Sequence, residues 1–217
     1  MVQINGIVNE YIHVEKPDQE AVPSRQFDIS KIDFDLLSRE FAHTRQKNLL
    51  LRDLDELVNQ QLAKMLFANP QRIDYYDRYQ EIIDAYNAEQ NRATIEKTFM
   101  DLMELASSLD TEQQRYVREG FSSDEELSVY DLLFSENLTK QEIEAIKKVS
   151  VDLLTKIKQQ IAKLDHWTDK QETKAIVDNL IRKTLWQELP NSYDVSDIQT
   201  YQKKIYEYVY MRYPEVA

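Results

Sequence analysis

Residues 139–164 read TKQEIEAIKKVSVDLLTKIKQQIAKL, and this stretch decides the fold. Its apolar residues Ile143, Ile146, Val149, Leu153, Ile157, Ile161 and Leu164 recur at steps of three and four, so all of them fall on one side of an α-helix. Thr139 stands just ahead with Glu142 three residues on, the pattern in which a hydroxyl and a carboxylate satisfy two orphan amides reciprocally at a helix start. The predicted helix is therefore long, amphipathic and capped, and it needs neighbours to cover its apolar stripe.

The same periodicity continues in both directions. Upstream, Leu50, Leu54, Leu57, Val58, Leu62 and Met65 define one face, and that helix must stop near Asn69 because Pro70 disfavours helical backbone in the residue before it. Tyr75, Tyr79, Ile82, Ile83 and Tyr86 make the next face, and Ile95, Phe99, Leu102, Met103 and Ala106 another. Downstream, Val177, Leu180, Ile181 and Leu185 run up to Pro190, and Ile198, Ile205, Tyr208 and Val209 end before Pro214. Further capping patterns predict starts at Thr111 with Gln114, Thr168 with Gln171 and Ser196 with Gln199, and Ser123 opens another helix. Gly120 follows residues 113–119 where a closing helix needs a left-handed residue. The expectation is an all-α, multi-helix bundle of about eight or nine helices with short loops, in a helical domain over 30–217. Residues 1–29 are ambiguous: Ile4, Ile7, Val8, Tyr11 and Ile12 suit a helix, whereas Val2, Ile4, Gly6, Tyr11 and Val14 suit an extended piece. Pro17, Pro23 and Ser24 then punctuate a linker.

Composition narrows the function classes. A chain of 217 residues buries roughly 70% of its extended surface on folding. With 42% hydrophobic and 30% charged residues it is neither a disordered chain nor a membrane span, and no basic, apolar leader follows Met1, so a cytoplasmic protein is expected. The absence of Cys removes disulfides and thiolate metal sites. Only two glycines, Gly6 and Gly120, are present, too few for a phosphate-cradling loop. The net charge of −12 repels phosphate overall, yet residues 140–183 carry ten Lys or Arg against seven Asp or Glu, so any DNA contact belongs there. Lys147, Lys148, Lys156, Lys158, Lys163, Lys170, Lys174, Arg182 and Lys183 are the candidates.

No catalytic centre, cofactor site or metal site emerges. His13, His43 and His166 are far apart and read as surface or helix-end residues. The acidic residues alternate with Lys and Arg as on a solvated face. Pro17-Asp18 with Glu172-x-Lys174 mimics a nuclease motif, but that chemistry needs its carboxylates and lysine on adjacent strands around Mg²⁺, and Glu172 falls in a predicted helix. Two aromatic and basic clusters remain: Arg72, Tyr75, Tyr76, Arg78 and Tyr79, then Tyr201, Lys203, Lys204, Tyr206, Tyr208, Tyr210, Arg212 and Tyr213. Tyr and Arg are enriched at interfaces, although tyrosines at helical spacing are also common at a core edge. The candidate docking surface is Arg72, Tyr76, Arg78, Tyr201, Lys204, Tyr206, Tyr210 and Arg212. Trp167 and Trp186 read as packing anchors.

Longer strings carry a resemblance. NPQRIDYYDRYQEII at 69–83, RYVREG at 115–120, YDLL at 130–133, Trp167, QET at 171–173, TLWQELP at 184–190 and YEYVY at 206–210 together resemble the C-terminal helical region of the restriction (R, motor) subunit of type I restriction-modification enzymes, over roughly 32–213. The resemblance implies a parent subunit that is an ATP-dependent site-specific deoxyribonuclease and DNA translocase, with a nuclease domain and two RecA-like motor domains. Its helical region contacts the modification core and couples it to the motor. Neither nuclease nor Walker motifs occur here, so this chain is expected to be a non-catalytic fragment, with ATP and Mg²⁺ belonging to the parent. The implied partners are the modification and specificity subunits, the motor domains and, indirectly, DNA. The alternative is a DNA-contacting helical module using residues 140–183.

Overall fold

In a computed structural model of the chain, residues 33–88 and 92–214 are described; the ambiguous N-terminal segment lies outside them. Among the described residues there are nine α-helices, one 3₁₀ turn and no strand, as the periodicity predicts. They belong to two compact units, 1–114 and 115–217.

The first unit contains α1 (Phe34–His43), α2 (Lys47–Ala68), a 3₁₀ turn (Pro70–Arg72), α3 (Ile73–Ala88) and α4 (Arg92–Gln113). Asp33 opens α1 by accepting from the Leu36 amide. The stripe Leu51, Leu54, Val58, Leu62 and Met65 buries α2 against α4, which also packs on α3. Asn69 breaks α2 in extended backbone, and its side chain caps the 3₁₀ turn through the Gln71 amide. Phe99, Leu102, Leu105, Ala106 and Leu109 make α4 the most enclosed helix of this unit, and Phe41 stacks on Phe99 with ring centroids 3.6 Å apart.

The second unit holds α5 (Arg115–Arg118), α6 (Asp124–Leu133), α7 (Lys140–Ile161), α8 (Gln171–Glu188) and α9 (Val195–Arg212). Gly120, at φ +83°, closes α5 as expected: its amide bonds to the Val117 carbonyl and the Phe121 amide to the Tyr116 carbonyl, while Tyr116 and Phe121 belong to one core. Helix α7 buries Ile146, Val149, Leu153, Ile157 and Ile161, the stripe predicted for it. It packs on α6 and α8, α8 packs on α9, and α9 returns to α6, so four amphipathic faces close on one interior. Trp167 fills the α7–α8 connection and is 1% exposed, its indole donating to the Tyr213 carbonyl at 2.6 Å. Tyr193 donates to the Leu133 carbonyl, satisfying an orphan acceptor at the end of α6.

Three predicted helix starts move. Thr111 lies inside α4, where its hydroxyl donates back to the Ser107 carbonyl, because the α4 core stripe carries the helix through to Gln113. Helix α8 begins at Gln171 behind Lys170, with no side-chain cap; Thr168 reaches the Pro214 carbonyl instead. Helix α9 starts behind Asp194, which forms the reciprocal cap with Asp197 that Ser196 and Gln199 were expected to supply. The Thr139–Glu142 box and the Ser123 cap stand as predicted. Trp186 is also not where its reading put it: it is 61% exposed and anchors no core.

Candidate interaction surface

The described parts of the first aromatic and basic cluster are mostly structural. Arg72 is buried, and its Nε donates to Glu112 at 3.0 Å, so it turns inward to an ion pair with side chains 3% and 8% exposed rather than outward to a partner. Tyr76 is half-buried against the core beside Tyr79, whose hydroxyl donates to Asp55. Arg78 is at the surface, 2.8 Å from Glu104.

The second cluster divides between the two flanks of α9. On one flank are Tyr201, Lys204 and Arg212: Tyr201 meets Tyr193 edge-on, Lys204 lies 5.6 Å from the Tyr201 ring centroid, and Arg212 faces Glu125 of α6 at 3.9 Å. Burial pushes the Glu125 carboxyl up, but the hydrogen bond and charge of Lys158, with the charge of Arg212, outweigh it and hold the group below the ordinary carboxylate value. Tyr208 and Tyr213 sit between, their phenols pushed up by burial.

The other flank is the seam where α8 and α9 run side by side. Tyr210 and Tyr206 lie at its start, with Trp167 edge-on to both rings and Lys174 5.6 Å from the Tyr210 centroid. One step along, Gln202 donates to Asp178 at 2.8 Å. At its far end Trp186 and Ile198 line a groove of about 510 Å³. Burial and then Asp178 raise the Tyr206 phenol. Tyr210 and Trp186 are 39% and 61% exposed, which makes this seam an aromatic outer face of the unit. Of the eight residues expected to dock a partner, only Tyr206 and Tyr210 lie on it.

The basic stretch is also divided. Lys147 is held by Glu119, Lys156 by Glu188 and Lys158 by Glu125. Around α7 these lysines ring the helix: Lys147 and Lys158 share one flank, Lys156 takes the opposite one, and Lys148 points away from the core. Lys148, Lys163, Lys170, Arg182 and Lys183 have no carboxylate partner among the described residues. Glu172 lies in the first turn of α8, and among the described residues no group of three or more His, Cys, Asp or Glu is placed to hold a metal ion. His43 closes α1, bonded to the Arg39 carbonyl, and His166 is exposed, while His13 falls outside the described residues. No described helix is long and apolar enough to cross a membrane.

Trp186, like Arg72, is a residue that sequence reasoning misplaced. The signal for Trp186 was present, since Val177, Ile181 and Leu185 set the buried stripe of α8 and Trp186 falls a full residue step off it.

A closed set of amphipathic helices with a solvent-facing aromatic seam defines an all-α domain. The sequence model for the C-terminal region of proteins like the type I restriction enzyme HindI endonuclease subunit matches residues 17–213, and the chain belongs to that family. No curated protein sequence and no solved structure matches it.

Proposed function

We propose that this chain is the assembly and coupling region of a type I restriction endonuclease subunit: a non-catalytic helical domain that docks the modification and specificity subunits and links them to the ATP-driven motor. The observation that carries the reading is the family match over 17–213. The α8–α9 seam supports it, because exposed Trp and Tyr beside cations are the side chains that supply most binding energy at protein interfaces. ATP and Mg²⁺ then serve the motor and nuclease regions of the parent subunit, in the cytoplasm, and DNA is reached through the assembly.

The test uses the purified chain. It should show strongly helical circular dichroism and neither ATPase nor nuclease activity, and it should bind the modification–specificity complex of its own system. Tyr210→Ala should weaken that binding with the dichroism unchanged; equal binding by the variant would remove the Tyr206–Tyr210 end of the seam from the docking face.

The cations Lys148, Lys163, Lys170, Arg182 and Lys183, which have no carboxylate partner among the described residues, favour a second reading, direct DNA contact. Against it stand the arrangement of the α7 lysines around the helix and the net charge of −12. Affinity of the chain for DNA that falls steeply with salt would support this reading, since phosphate contacts release counterions.

A further inference from the structure

The groove at the far end of the seam has a specific chemistry. Trp186 forms an apolar wall that is 61% exposed, and Ile198, 8% exposed, continues it onto α9. Arg182 and Lys183 stand one turn before Trp186 on α8, so both reach the same rim. Asn179, Gln187, Gln199 and Gln202 complete the lining with neutral donors and acceptors. The two cations are left over in the unit's own electrostatics. Arg182 bonds only the Asn179 amide oxygen, at 2.9 Å, and Lys183 has no ion pair among the described residues. On this part of α8, Glu188 is held by Lys156, and Asp178 accepts from Gln202 on the side toward α9.

From this we infer that the groove seats an acidic, amphipathic segment of a partner protein, with one apolar side chain laid on the Trp186 indole and carboxylates facing Arg182 and Lys183. The inference rests on the assembly reading above and names the chemistry of what that surface receives. Charge complementarity sets the sign of the segment, and the exposed indole beside Ile198 sets its apolar anchor. A nucleic acid fits less well. A strand tracking phosphates needs a run of cations and a succession of stacking rings, and this groove has two cations and one ring. A helix carrying an apolar residue and an acid one turn apart matches the spacing of Trp186 from Arg182 and Lys183.

The chain has two tryptophans, and Trp167 is 1% exposed, so iodide quenching of its fluorescence reads Trp186. The experiment titrates the chain, labelled with 7-azatryptophan so that it is excited apart from the tryptophans of its partner, with the purified modification–specificity complex of its system, following affinity and iodide quenching together. The expected result is saturable binding that protects Trp186. Trp186→Ala should weaken binding roughly tenfold or more. The charge reversal Arg182→Glu with Lys183→Glu should do the same, Trp186→Phe should retain most of the affinity, and all three should keep the helical dichroism. If the complex binds while Trp186 stays quenchable, or if both disruptive variants bind like the parent, the groove is not the seat and the assembly reading survives alone. If the parent chain does not bind the complex, both fall. Protection of Trp186 by DNA in a salt-sensitive manner, or by raising the concentration of the chain alone, would replace the acidic segment with a nucleic acid or a second copy and overturn the inference.

Discussion

At the scale of single residues, the Arg72–Glu112 pair is the most consequential contact of the first unit. Both side chains are nearly inaccessible, so the pair holds opposite charges together where water does little to screen them. Arg72→Met should destabilise the chain by about 3–5 kcal/mol, and the double change with Glu112→Leu should recover much of the loss, both read by urea denaturation. The sequence hid this pair because its members are forty residues apart and Arg72 sits among tyrosines that resemble an interface. Glu125 makes a pH-dependent contribution in the second unit. Its carboxyl binds protons more weakly folded than unfolded, so the stabilisation is complete above the ordinary value of about 4.5 and is lost as pH falls through the lower folded value. Glu125→Gln should therefore lower the melting temperature at pH 7, with the difference from the parent shrinking in acid. A gap that persisted unchanged at pH 3 would assign its role to shape rather than charge.

Helices are where the chain was most legible. The stripes of α2, α4, α7 and α9 follow from the spacing of apolar residues alone, because only one face of each can be buried. Their ends were harder to place, since several side chains near a boundary can cap and the first good one wins. Asp194 precedes Ser196 by two residues and takes the α9 cap, while the apolar run of α4 overrides the cap that Thr111 offers. Thr139→Ala and Asp194→Ala should each cost about 1 kcal/mol in thermal or urea unfolding, whereas Thr111→Ala and Ser196→Ala should stay within about 0.5 kcal/mol. At Gly120 an added Cβ meets open space, so Gly120→Ala isolates the cost of left-handed backbone, about 1–2 kcal/mol.

At the scale of the molecule, each unit encloses its own apolar interior, and in the second four helices close the ring. A fragment of residues 115–217 should consequently show helical dichroism and a cooperative thermal transition by itself; a non-cooperative melt would mean that its core needs residues from the first unit. The all-α class was readable because periodicity reports burial directly. The interaction surface was not, because pairing among charges depends on which helices become neighbours: Lys147, Lys156 and Lys158 look like a basic stretch in sequence and are spent on Glu119, Glu188 and Glu125 in the fold. What those pairings leave over, Arg182, Lys183 and the exposed Trp186, becomes visible only after the ring closes. Competition decides the account: the labelled chain is titrated with the modification–specificity complex, then challenged with the unlabelled full-length endonuclease subunit. Saturable binding that the full-length subunit displaces is the predicted outcome. Absence of binding, or binding that the full-length subunit leaves untouched, would contradict it.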